Sequence, residues 1–131
     1  MGAWGAGPFD NDDALDWLNE FEAEGIQAAG AAIADVLALE GEYLEAPGAS
    51  RAIAAAEVIA AASGRPAAKL PTDLTRWLEN RDTFRSPELH QNAVAAIKRV
   101  MTESELRDLW ADSNQLDIWE STLKDLLERL G

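Results

Sequence analysis

Cysteine is absent from this 131-residue chain, so disulfides and thiolate metal sites are excluded. Only one histidine and one tyrosine occur, and no apolar run approaches the roughly 20 residues that span a bilayer. No basic stretch follows Met1, so a secretory signal is not expected, and Ala6 stands where an N-myristoylation start needs Ser or Thr. A cytoplasmic address is the expectation. The most informative shortage is positive charge. Residues 1–50 carry 11 acids and no Lys or Arg, whereas residues 51–131 carry 13 acids and 11 bases. A polyanion such as DNA is repelled by the first segment, and a basic protein surface is drawn to it. The plainer reading of the same acids is that they solvate helix faces.

What is present is helical periodicity from end to end. Residues 1–9 hold three glycines and a proline, which makes a loop, and Trp4 and Phe9 should pack that loop on the rest. Asp10 is placed to start the first helix, with Asp12 and Asp13 in its first turn and Ala14, Trp17, Leu18 and Phe21 as its stripe. Gly25 should end it. A second helix is expected over 26–40, a third and alanine-rich one over 50–63 with Gly64 as its stop, and a short fourth over 72–80. Ser86 should cap a fifth helix with the stripe Leu89, Ala93, Ala96, Ile97 and Val100. Thr102 and Glu105 read as a capping box opening the sixth, and Asn114 as the cap of the last, whose stripe runs from Leu116 to Leu130. No segment alternates with period two over the length of a strand. The expectation is therefore one all-α domain over residues 1–131, a compact bundle of six to seven helices with an ordered Gly/Trp-rich N-terminal loop. Trp17, Trp77, Trp110 and Trp119 fall at stripe positions and should be core or core margin.

Few residues suggest chemistry. Asp10-Asn11-Asp12-Asp13 begins like a calcium loop, but Ala14 and Leu15 stand where a ligand and a glycine are required. Asp35 and Glu57 are lone charges inside alanine-rich helices. If those helices pack antiparallel the two carboxylates reach one height, which is raw material for acid–base chemistry or a cation site, with Asp16 as a candidate third member. The structural alternative gives Glu57 a partner, with the N-terminal loop amides, the Trp4 indole and Arg51 as candidates. His90, the lone histidine, reads as a surface residue. Arg65, Lys69, Arg76, Arg81, Arg85, Lys98 and Arg99, with Trp77 and Phe84 among them, are too few in an acidic chain for nucleic-acid binding and are expected to pair with the acidic half, within the fold or between copies.

The segments Met1-Gly2-Ala3-Trp4-Gly5, Gly7-Pro8-Phe9-Asp10-Asn11-Asp12 and Ala14-Leu15-Asp16-Trp17-Leu18 resemble the opening of the bacterial family catalogued as domain of unknown function 4259. Tyr43-Leu44-Glu45, Ala54 to Ala61, Gly64-Arg65-Pro66 and Leu70-Pro71 are similar to it as well, and so are the helices around Leu106–Trp110 and Leu123–Leu130. That resemblance implies no activity and no catalytic residue. It implies that the N-terminal loop, Asp10 to Asp16 and Glu57 form one unit, and with Asp35 added the candidate polar unit is Trp4, Asp10, Asn11, Asp12, Asp16, Asp35 and Glu57. The functional expectation is a non-catalytic, cofactor-free interaction module, an inhibitor or immunity-type partner of a basic protein, with Asp12, Asp13, Asp16 and Glu20 as its acidic face. The alternatives are a homo-oligomer in which acidic and basic halves meet, and a cation-dependent hydrolase using Asp35 and Glu57.

Overall fold

The Asn11 side chain opens α1 (Asp12–Glu24): its Oδ1 accepts the Ala14 amide at 2.8 Å, and Asp12 and Asp13 follow in the turn where the helix dipole favours them. Asp10, expected as the cap, sits one residue too early. Its carboxylate accepts the Gly7 amide at 3.1 Å while its own amide donates to the Gly7 carbonyl, closing a turn before the helix. Gly25 ends α1 at φ +74° and at once begins α2 (Ile26–Ala38). Only glycine adopts this backbone without strain, so the reversal needs no further loop.

The computed structural model describes residues 7–39, 41–79 and 81–131, and the regular elements among them are seven helices. α3 (Ala46–Ala62) begins four residues before the expected Ser50. Pro47 belongs to its first turn, where a missing N–H costs nothing, and is not part of a connection. Gly64, at φ +94°, closes α3: the Gly64 amide donates to the Ala61 carbonyl and the Arg65 amide to that of Ala60, each at 3.0 Å.

α3 is the axis. It packs against α1, α2, α4 (Thr72–Glu79), α5 (Pro87–Thr102), α6 (Glu105–Asp112) and α7 (Leu116–Leu130). From Ala49 to Ala62 every residue but Arg51 is buried. Alanine makes this arrangement feasible, because a helix with short side chains on all sides admits neighbours closely on all of them. One apolar cluster runs through all seven helices, with Phe21, Ile33, Ile59, Leu74, Ile97, Leu123 and Leu126 among its fully buried members.

Two further sequence expectations need correction at helix ends. Thr102 stays inside α5, bonding the Lys98 carbonyl, and the cap of α6 is Ser104, whose Oγ accepts the Arg107 amide at 3.1 Å. Glu105, released from the proposed capping box, accepts the amide of Ala46 at 2.7 Å, and its own amide donates to the Leu44 carbonyl, so the starts of α3 and α6 are tied together. Asn114 lies at φ +61° before α7, and Gln115 takes the cap position. The stripe of α5 holds at Ala93, Ala96, Ile97 and Val100 and differs only at its start. His90 is buried and Leu89 only half-buried, because His90, Ala93, Ile97 and Val100 lie on the face that meets α2, α3 and α7. Trp17, Trp110 and Trp119 are buried as expected, and Trp77 is half-buried at the core margin.

Candidate functional site

The acidic surface is built by α1. Asp12, Asp16, Glu20 and Glu24 recur every four residues, so they stack along one ridge of the helix, and all four are exposed. Asp13, also expected on this face, is half-buried beside the ridge. Like charges at this spacing repel by about 0.2–0.5 kcal/mol per pair. Asp35 on α2 continues the surface: it is exposed and lines a shallow depression with Trp17, Glu20, Glu24 and Arg51. Among the described residues, none of the ten acids from Asp10 to Glu45 makes an ion pair within 4.0 Å. The expectation that the bases of the second half neutralise this surface inside the fold is therefore not met. Those ion pairs that do form hold Asp73, Asp108, Glu57 and Asp125.

Glu57 stands elsewhere. Its side chain is 1% exposed, and both oxygens are engaged by one guanidinium: Arg129 Nη1 donates to Oε1 at 2.7 Å and Nη2 to Oε2 at 3.0 Å. The partner is thus Arg129 of α7, and not the N-terminal loop or Arg51. Burial alone would lower the Arg129 pKa, but the hydrogen bonds and negative charge of Glu57, and then of Asp125, raise it above its ordinary value. The two ends are strapped further: Arg65 Nη1 donates to the Glu128 carbonyl at 2.9 Å. Asp35 and Glu57 share no pocket. Asp35 sits beside Gly48 and Arg51 near the start of α3, and Glu57 lies six residues beyond Arg51, roughly 9 Å of helical rise. The earlier start of α3 moves the register away from the one that would pair them.

The remaining members of the expected polar unit divide the same way. Asp10 and Asn11 are engaged in the turn and cap that open α1, Asp12 and Asp16 are on its exposed ridge, and Trp4 lies outside the described residues. Among the described residues no group of three or more His, Asp or Glu side chains is arranged to hold a metal ion. His90 Nδ1 is 2.9 Å from the Ser86 carbonyl oxygen, and its buried Nε2 has no partner among those residues.

A second feature was invisible in the sequence. Tyr43, 62% exposed, stands beside Glu42 and Glu45 in a groove at the α2–α3 junction. Its phenol pKa is raised above 10.0 by desolvation and then by the carboxylates of Glu105, Asp108 and Glu45. Glu45 is a sequence neighbour, but Glu105 and Asp108 come from α6, so no local pattern signals those two. No helix among the described residues is long and apolar enough to cross a membrane.

No curated protein and no solved structure matches the chain. The family described as Domain of unknown function (DUF4259) matches residues 2–122, nearly the whole length, and the chain belongs to that family.

Proposed function

We propose that the chain is a non-catalytic interaction module whose α1–α2 surface binds a basic protein, in the manner of an inhibitor or immunity partner. The observation that carries this is the exposed ridge Asp12, Asp16, Glu20 and Glu24, extended by Asp35, none of which makes an ion pair within 4.0 Å among the described residues, with Arg51 the one cation lining the depression beside Glu20, Glu24 and Asp35. Stacked like charges cost folding energy, and a complementary surface returns that cost on binding. Such a field also speeds diffusional encounter and loses its reach as salt shortens the Debye length below about 10 Å.

The test is affinity capture at low salt, identification of the captured protein, and association kinetics with the purified pair. Reversing Asp12, Asp13, Asp16 and Glu20 to Lys should slow association by about tenfold or more and flatten its dependence on ionic strength. Association that is unchanged by the reversal would overturn the proposal. A second reading has its own observation: Arg65, Lys69, Arg76, Arg81 and Arg85 are exposed and make no ion pair with the first-half acids among the described residues. In that reading the partner is a second copy, and sedimentation at two ionic strengths distinguishes the two.

A further inference from the structure

Apart from the acidic ridge, whose residues do not line it, the core margin opens into a cleft of about 310 Å³ between the start of α2, the end of α3, α4 and the connection that follows it. Its existence has local causes. Gly64 ends α3, and the Phe84 amide donates to the Ala62 carbonyl at 2.7 Å, which holds the connection against the α3 terminus. Ala61 and Ala62 are too small to fill the space beneath it, and Ile26 and Leu78 extend the apolar lining. Two aromatic rings line the cleft. Phe84 is 43% exposed, one of three large apolar side chains left so open among the described residues. Trp77 packs on Phe21 in the core, with ring centroids 4.6 Å apart.

One cation sits at this site. The Arg81 guanidinium lies 3.8 Å from the centroid of the Trp77 ring, and its Nη1 donates to the Trp77 carbonyl at 2.7 Å. Both contacts fix its position, and it makes no ion pair among the described residues. A guanidinium so placed retains donors for a further acceptor. The surrounding stretch, residues 64–85, has five bases against three acids, whereas the chain as a whole carries −13. An apolar cleft with few polar groups at its edge is the usual form of a small-molecule site.

We propose that this cleft binds a small planar aromatic carboxylate, with the ring system against Phe84 and the uncovered edge of Trp77, whose face Arg81 occupies, and the carboxylate accepting hydrogen bonds from Arg81. The site is separate from the acidic ridge, so this proposal stands whether or not a basic partner exists. Asp82 and Thr83 also line the cleft and would accept a hydrogen bond from a hydroxyl or amine on the ligand.

The experiment titrates the full-length protein with 2-naphthoate and, separately, with the uncharged 2-naphthamide of the same shape, reading tryptophan fluorescence and calorimetry. Naphthoate is expected to bind with a Kd on the order of 0.1–1 mM, fitting a ligand of its size, and about fivefold more tightly than the amide. Arg81→Gln should remove that preference and leave amide binding as it was. Phe84→Ala, at an exposed position, should weaken both ligands together, with circular dichroism confirming that each variant is folded. Absence of naphthoate binding up to about 5 mM would overturn the proposal, as would equal affinity for the two ligands or binding indifferent to both substitutions. If neither ligand binds and Phe84→Ala instead weakens a captured protein, the cleft receives an apolar anchor of that protein and the small-molecule reading is wrong.

Discussion

Replacing Arg129 with Met while Glu57 remains leaves a carboxylate that is 1% exposed without its guanidinium. Both of its oxygens are held by Arg129, at 2.7 and 3.0 Å, and the Arg129 side chain is itself only 12% exposed. Breaking a buried pair from one side costs about 3–5 kcal/mol, since the remaining charge loses its partner and does not regain water. A domain of this size has about 5–15 kcal/mol in total. The expected fall in melting temperature is roughly 10–25 °C, from about 3–5 °C per kcal/mol. Thermal denaturation followed by far-ultraviolet circular dichroism reads that shift, and urea denaturation reads the loss of free energy. Two controls make the reasoning refutable. The double variant Glu57→Met, Arg129→Met removes both charges and should lie within about 1–2 kcal/mol of the parent. Asp125→Ala removes the exposed neighbour of Arg129 and should cost under about 1 kcal/mol. A loss below about 1 kcal/mol for Arg129→Met would mean that the pair behaves as a solvated surface pair. A double variant as unstable as the single one would mean that packing, and not charge, is what Arg129 contributes.

Three further outcomes are expected. Gly30→Ala should stabilise the protein by about 0.5–1 kcal/mol in the same denaturation assay, because Gly30 is inside α2 and a Cβ there would meet Leu89 Cδ1 at an ordinary 3.8 Å; destabilisation would show that the α2–α5 contact is tighter than that distance implies. Ser104→Ala should cost about 1–2 kcal/mol, since its hydroxyl both caps α6 and donates to the Val100 carbonyl at 2.7 Å, whereas Thr102→Ala should cost far less; the reverse order would restore Thr102 as the cap. The chain's one tyrosine should titrate spectroscopically above 10.0, and both added salt and Asp108→Asn should bring the midpoint down. The raised value favours the neutral phenol in the folded state, so its contribution to stability is present below the ordinary tyrosine range and is lost as pH rises through the folded midpoint. A midpoint at or below 10.0 would refute the assigned cause.

The part of the fold legible in sequence was the part governed by local rules. Periodic apolar positions located all seven helices, Gly25 and Gly64 marked two ends that need a left-handed residue, and the run of alanines identified α3 as the buried centre. Errors arose where two local rules competed. Pro47 breaks a helix interior but suits a first turn, and Thr102 and Ser104 are both acceptable caps. His90 reads as a surface residue in the sequence because which of two adjacent residues, Leu89 or His90, turns inward at the start of α5 is decided by what packs on each side of the helix.

The acidic first half, its missing cations and the need of Glu57 for a partner follow from composition and burial, properties that each residue carries wherever it stands. The identity of that partner does not. Arg129 is 72 residues away, and only the packing of α7 on α3 brings its guanidinium to the Glu57 carboxylate. The same holds for the approach of Glu105 and Asp108 to Tyr43 and for the cleft beneath Phe84, whose walls come from four separate segments. Charge and periodicity are inscribed along the chain, whereas ion pairs and cavities arise between segments whose spacing is fixed only when the helices pack.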